Sequence, residues 1–447
     1  MPKHNWKIGR DAKEKLKNFS QLSIMEPRQF VIDLERCRGM YLKTTDNQEI
    51  FDWAGYYGSK LIEHNHLDTL NDQKYNRKLL AAANNKISHP DFTSDAIIEY
   101  YALLKRIAPK CLNNDDMKIF TVNSGAEAVE NALKYMIKLN AIKRGIEHLE
   151  NHIHDFSFIC FEGGFHGRTV YALGVTDMPH NRNATRNFQN LSHIRNHKIC
   201  FSADRLLTYK DIKFVLNNIE SVLKNTHNVA GIIIEPLQSA SGHKTAPKWF
   251  FQELSSLAYE HKTSLCFDEV QTAGGQTGTI FMCDQFDLPN SPDVVVTAKK
   301  FGCGVVYMKK SLPIQGVFDS TWSGHIVDMV RFVKEWEIVE KEKLIEDVDK
   351  KALMFNQRLM KLESTFPNLV RVLPGVGLYQ AIQLLNPIKK NQFIAEALAK
   401  HSLLLLGSGT DCIRFRPTLS VKRCDISELI NLLEDLFKNY TDYCTIT

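Results

Sequence analysis

Lys299 closes the apolar run Val294-Val295-Val296-Thr297-Ala298. An ammonium stripped of water at such a place loses basicity and becomes a nucleophilic amine, although Lys299 and Lys300 also read as a plain basic pair at a strand exit. Asp268 stands 31 residues earlier, inside the run Leu265-Cys266-Phe267-Asp268-Glu269-Val270. A carboxylate there is costly unless it meets a cation. A helix N-cap or a metal ligand would satisfy it as well as a catalytic partner. Asn123-Ser124-Gly125-Ala126-Glu127 joins a short apolar run to a helical pattern. Free amides at a helix start can cradle a phosphate, and Ser124 with Glu127 also fits a capping box. Gly163-Gly164-Phe165-His166-Gly167-Arg168 offers a ring to stack a flat ligand and a guanidinium to fork a carboxylate; Phe165 serves equally as a core anchor. Arg414 and Arg416, at i and i+2, share one strand face and suit an anion site or a surface salt bridge.

These groups need a scaffold. Ile119–Val122, Ser157–Phe161, Val229–Pro236, Thr263–Val270 and Asp293–Thr297 are strand candidates, and 126–143 is a helix with Ala126, Val129, Leu133, Met136 and Ile137 on one face. Several strands are continuously apolar, as strands buried on both faces are, which predicts a parallel sheet covered by helices. Beyond about 330 the pattern changes to helices at Val327–Glu342 and Val348–Leu362, strands within 369–384, a helix at 390–401, a strand at 412–416 and a helix near 425–438. Phe30–Trp53 reads as two or three short strands turning at Thr44–Asn47, after a charged N-terminal helix face.

The composition excludes several classes. With 447 residues, 44% hydrophobic and 24% charged, the chain is long enough for a large core and matches neither a fibrous nor a disordered protein. A net charge of +5 from 56 basic and 51 acidic residues gives no general field for nucleic acid or a membrane surface. No apolar run approaches the length of a membrane span. No signal-peptide core is seen, and none of the ten cysteines forms a C-x-x-C, so a reduced, cytoplasmic setting without a metal site is expected. G-x-G-x-x-G and P-loop patterns are absent.

Pyridoxal 5′-phosphate accounts for four of the constellations together: it needs a Schiff-base lysine, a carboxylate for its pyridinium nitrogen, a phosphate cradle and a stacking ring. From about residue 30 onward the sequence resembles the class III (subgroup II) aminotransferases of fold type I. Asp268-Glu269-Val270-Gln271 followed by Pro292-Asp293-Val294-Val295-Val296 and a lysine is their pattern. Within that family, Gly164–Arg168, Ser320-Thr321-Trp322, Asp328-Met329-Val330-Arg331 and Ala128–Lys134 are similar to L-lysine 6-aminotransferases. Ile413–Leu419 and much of Val229–Ser239 are shared with mammalian-type 4-aminobutyrate aminotransferases.

The resemblance implies an α/β fold. A mostly parallel, seven-stranded-type sheet would lie in a large domain (61–330), with a smaller α+β domain (331–447) joined by the N-terminal segment (1–60). It implies that Lys299 carries the cofactor and moves the proton, that Asp268 pairs with the ring nitrogen, and that Gln271 bonds the ring oxygen. Ser124, Gly125 and Ala126 would hold the phosphate, with Thr321 reaching in from the other subunit of a homodimer, and Phe165 would stack. Arg168 would bind a substrate carboxylate and Arg414 the second carboxylate of 2-oxoglutarate or glutamate; Lys300 is given no chemistry.

The implied reaction moves the ω-amino group of L-lysine to 2-oxoglutarate. One departure opens another donor (ornithine, 4-aminobutyrate, a diamine or an amino ketone). In Glu235-Pro236-Leu237-Gln238-Ser239-Ala240 the family's second glutamate falls on Ala240. That glutamate covers the arginine at the Arg414 position when an ω-amine is bound. Ala298 also replaces a glycine, a small change. A cofactor-binding protein without turnover is a third reading, opposed by the joint presence of Lys299, Asp268 and Arg168.

Overall fold

The computed structural model describes residues 8–444 apart from 26, 86–87, 113, 179–187, 189–194, 200–207, 314–315 and 386–387. The chain divides into two compact units, Lys74–Glu337 and the pair of segments Met1–Gln73 and Ile338–Thr447. The divisions fall at 73/74 and 337/338, against 60/61 and 330/331 from the sequence.

In the central unit the apolar runs become the strands of one sheet. They are β1 (Lys118–Val122), β2 (Ser157–Phe161), β3 (Arg195–Ile199), β4 (Val229–Ile234), β5 (Ser264–Asp268), β6 (Val294–Thr297) and β7 (Gly304–Met308). Their spatial order is β1-β7-β6-β5-β4-β2-β3. β6, β5, β4, β2 and β3 run parallel, while β7 is antiparallel to both β6 and β1. The fold is the α/β architecture expected, with a seven-stranded, mostly parallel sheet. β3 and β7 were not among the expected strands.

Helix α1 (Gly125–Lys143) covers one face of the sheet. Ala128, Val129, Ala132, Leu133 and Met136 join Cys160, Ile233, Cys266, Val294, Val296 and Val306 in one core cluster. Fully burying each large aliphatic side chain contributes ~1.5–3 kcal/mol, so this face alone anchors the helix. Gly231 shows how close the packing is: a Cβ there would lie 2.4 Å from Met136 Sδ. Two further helices, α2 (Tyr209–Asn225) and α3 (Lys248–Glu260), lie in the crossovers that the parallel strands require.

The other unit carries a four-stranded antiparallel sheet in the order Val370–Val376, Tyr379–Leu384, Cys412–Phe415, Leu406–Ser408. A second sheet joins Tyr41–Lys43, Glu49–Asp52 and Leu403–Leu404. Helices Val348–Thr365 and Arg423–Cys444 pack with them. Arg414 and Arg416 both lie in this unit and both are buried, so the surface-salt-bridge alternative fails. The guanidinium of Arg416 sits 4.5 Å from the Tyr379 ring centre. Burial, with the like charge of Arg414 adding, pushes Arg416 down to about 9, and Tyr379 opposes the shift.

Among the described residues, no helix is long and apolar enough to cross a membrane.

Candidate active site

Parallel strands release their side chains at the C-terminal edge, where ligands of open α/β sheets bind. Here the ends of β5 and β6 and the start of α1 border a cavity of about 450 Å³. Ser124, Gly125, Ala126, Phe165, Arg168, Asp268, Gln271 and Lys299 all line it. Eight of the ten residues singled out from sequence therefore meet in one place. Thr321 is not among the lining residues of the single chain and is exposed on the 320–322 segment. Arg414 belongs to the other unit.

Lys299 arrives there through a local conformation that its sequence does not favour. Val296 and Thr297 end β6, and Lys299 opens a single 3₁₀ turn, Lys299–Phe301, with φ +50. A left-handed lysine costs on the order of 1 kcal/mol and is held by its surroundings. The turn closes through the Gly302 N–H donating to the Lys299 carbonyl at 2.9 Å. Lys300 points the other way: it is buried and its Nζ donates to the Gln271 carbonyl at 2.7 Å. One lysine of the pair thus faces the cavity and its neighbour anchors the backbone of the 271 turn.

Asp268 is 4% exposed at the end of β5. Its Oδ1 accepts the Val270 N–H at 3.0 Å, and its Oδ2 lies 2.7 Å from His166 Nδ1. Burial alone would push His166 down; the hydrogen bond and charge of Asp268, with Glu235, outweigh it and raise the imidazole above its ordinary value. Glu235, just beyond β4, also lines the cavity and accepts the Phe165 N–H at 2.7 Å. Desolvation raises this carboxyl to about 7, Asp268 adding and His166 and Lys299 opposing.

His166 and Glu235 are the functional-site residues that sequence reasoning missed. Both carried a signal: His166 sits in the glycine-flanked loop, and Glu235 is a carboxylate directly after a fully apolar strand.

The phosphate-cradle expectation rests on α1. Ser124 caps it, its Oγ accepting the Glu127 N–H at 3.3 Å, while Glu127 reaches back to the Asn123 N–H at 2.7 Å. The first amides of a helix have no intrahelical partner. Gly125 and Ala126, in that first turn, line the cavity, so the positive end of the helix dipole lies at its wall. The loop bearing Phe165 and Arg168 packs on this same turn. Gly167 has φ +133, and a Cβ there would lie 2.6 Å from the Cβ of Ala126, so only glycine fits. Arg168 is exposed and lies over the Phe165 ring at 5.6 Å.

The aminotransferase class-III family model matches residues 24–437. The L-lysine-epsilon aminotransferase of Mycobacterium tuberculosis is 28% identical over 422 residues, covering 90% of each chain. That of Streptomyces clavuligerus is 26% identical over 433 residues, 92% of each. The 4-aminobutyrate aminotransferase of Dictyostelium discoideum is 25% identical over 462 residues, 96% of this chain and 90% of its own. Among solved structures, lysine aminotransferase from M. tuberculosis superposes with a TM-score of 0.83 at 25% identity, covering 95% of this chain and 98% of its own.

The cavity fits the family's cofactor, pyridoxal 5′-phosphate. It offers an ammonium, a buried carboxylate, a half-buried aromatic ring and a helix N-terminus within one volume. Asn123 Oδ1, on the same wall, is buried without a hydrogen-bond partner among the described residues, an acceptor left for a ligand or water. The chain belongs to the class-III aminotransferases and is a pyridoxal-phosphate-dependent transaminase.

Proposed function

We propose that this transaminase moves the ε-amino group of L-lysine to 2-oxoglutarate, yielding 2-aminoadipate 6-semialdehyde and glutamate. The observation that carries the reading is the similarity, along nine-tenths of the chain, to proteins named L-lysine-epsilon aminotransferases. It is joined to a cavity lined by both Lys299 and Arg168.

Each residue has a stated task. Pyridoxal 5′-phosphate, when bound, supplies an electrophilic carbonyl and an electron-withdrawing ring. Lys299 holds the cofactor through Nζ, then takes and returns the proton at the reacting carbon of the substrate, as a general base within hydrogen-bond reach must. Asp268, paired with His166 through Oδ2, would meet the ring nitrogen and hold its proton. Phe165 stacks, and Gln271 donates to the ring oxygen. Ser124, Gly125 and Ala126 hold the phosphate. Arg168 binds a substrate carboxylate by a charge-assisted fork. The resemblance gives Arg414 the second carboxylate of the dicarboxylate substrate. It also gives the partner subunit's Thr321 a phosphate contact, which supports a homodimer, and the scattered cysteines support a cytoplasmic setting.

A second reading keeps the chemistry and changes the donor. Ala240 lines the cavity where the family pattern has a glutamate. A methyl group cannot balance an arginine during the half-reaction in which the amine brings no second carboxylate. Ornithine, 4-aminobutyrate, a diamine or an amino ketone then compete with lysine. The test is a donor screen with 2-oxoglutarate as acceptor, read as glutamate formed. The proposal expects L-lysine to give the highest kcat/KM. A different donor exceeding lysine tenfold would replace it with the second reading. Ala240→Glu should then shift the profile towards ω-amines.

A further inference from the structure

Outside the active site, two thiols from distant segments of the central unit are in contact. Cys111 Sγ lies 3.5 Å from Cys283 Sγ across a sequence separation of 172 residues. The two segments are already held in register, because the Cys111 N–H donates to Oδ1 of Asp284, the neighbour of Cys283, at 3.2 Å. The Cys283 side is equally fixed. Its N–H donates to Glu269 Oε1 at 2.6 Å and the Met282 N–H to Glu269 Oε2 at 2.9 Å. Bond formation needs the sulfurs to approach by about 1.5 Å more, to the ~2.05 Å of a disulfide. The pair is also asymmetric: Cys283 is 1% exposed, while Cys111 is half-buried and reaches solvent.

We propose that Cys111 and Cys283 are a reversible dithiol–disulfide modification site, closed by low-molecular-weight disulfides such as glutathione disulfide. Cys111 attacks first, as the sulfur that an external disulfide can reach. Its thiolate bonds to one sulfur of the reagent, the S–S bond breaks, and one glutathione leaves as thiolate. Cys283 then gives its proton to solvent and attacks Cys111 Sγ, expelling the second glutathione. Two protein thiols are oxidised and one external disulfide is reduced to two thiols, so the electrons balance. Burial, with Cys111 and then the Glu269 and Asp284 carboxylates adding, holds the Cys283 thiol well above its ordinary value. That thiol therefore stays protonated and unreactive until a mixed disulfide stands beside it. The closed bridge ties residue 111, before β1, to residue 283, after β5. A cross-link enclosing so long a loop restricts the unfolded chain strongly. The oxidised enzyme should melt several degrees above the reduced one.

The test uses the cofactor-loaded enzyme, glutathione disulfide, alkylation of remaining thiols and peptide mass mapping. The wild type should give a Cys111–Cys283 cross-link that dithiothreitol reverses, with the higher melting temperature. Cys283→Ser, and Cys283→Ala in case the hydroxyl disturbs the buried site, should stop at a glutathione adduct on Cys111. Cys111→Ser should leave Cys283 a free thiol. A wild type that keeps both thiols, stops at the adduct, joins either cysteine elsewhere, or melts unchanged after cross-linking would overturn the proposal.

Discussion

The two ends of the central sheet each hold a cavity and a buried aspartate. The larger cavity, about 640 Å³, is lined by Thr263, Leu265 and Asp293 at the strand starts, with Lys143, Lys309 and Lys310. The smaller one, at the strand ends, holds Lys299 and Asp268. At the larger, Asp293 Oδ1 meets Lys143 Nζ at 3.1 Å and Oδ2 accepts the Leu265 N–H at 3.1 Å. Its charge is neutralised by a permanent cation of the protein. At the smaller, Asp268 is paired with a titratable imidazole, in a cavity it shares with Lys299 and Glu235. Volume therefore does not mark the chemistry. What marks it is a carboxylate whose balancing charge is left to groups that exchange protons or to a ligand.

Substitutions at the two ends should separate these roles. The largest effect is expected at Lys299→Ala. Loss of both the nucleophile and the base should lower the rate of glutamate formation by roughly a thousandfold or more, while folding, read by circular dichroism, is retained. Asp268→Asn removes the charge but keeps an acceptor for the Val270 N–H, and should lower kcat by about a hundredfold, the scale of one lost electrostatic stabiliser. Asp293→Asn is the matched change at the other end. It should cost ~1–3 kcal/mol in urea unfolding, because the Leu265 N–H and Lys143 lose a charged partner, and leave kcat/KM as it was. A loss of activity in Asp293→Asn exceeding its loss of stability would erase the distinction.

The smallest effect concerns pH. A carboxyl raised in the folded state binds its proton more tightly there than in the unfolded chain. Its contribution is full below the ordinary carboxylate range and is lost as pH rises through about 7 for Glu235. Glu235→Gln keeps the oxygen that accepts the Phe165 N–H and should flatten the fall of melting temperature over that window. An unchanged slope would move the titration to His166, which is also raised and loses its stabilising contribution as pH climbs past its folded value.

Much of this was legible because the decisive residues follow runs that only a buried sheet requires. Val294–Thr297 and Ser264–Asp268 announce themselves by continuous apolarity, and the residues after them fall at the cavity. β3 was not legible, since Arg-Asn-His-Lys-Ile is a polar run that, among the described residues, pairs with β2 alone at the sheet edge. β7 is short, starts at a glycine and returns antiparallel within a few residues of Lys299, so it reads as a continuation of the turn. Asp268 was expected to need a cation, but that an imidazole 102 residues away meets it depends on the path of the 163–168 loop. The exposure of Arg168 was likewise set by that loop, not by its residue type.

The most direct measurement fixes the cofactor to the lysine that carries it. The loaded enzyme is reduced with borohydride and digested, and the peptide bearing the pyridoxyl group is sequenced by mass spectrometry. Modification of Lys299 alone is expected. Modification of Lys300, or of a lysine at the other end of the sheet such as Lys143 or Lys309, would overturn the role given to Lys299.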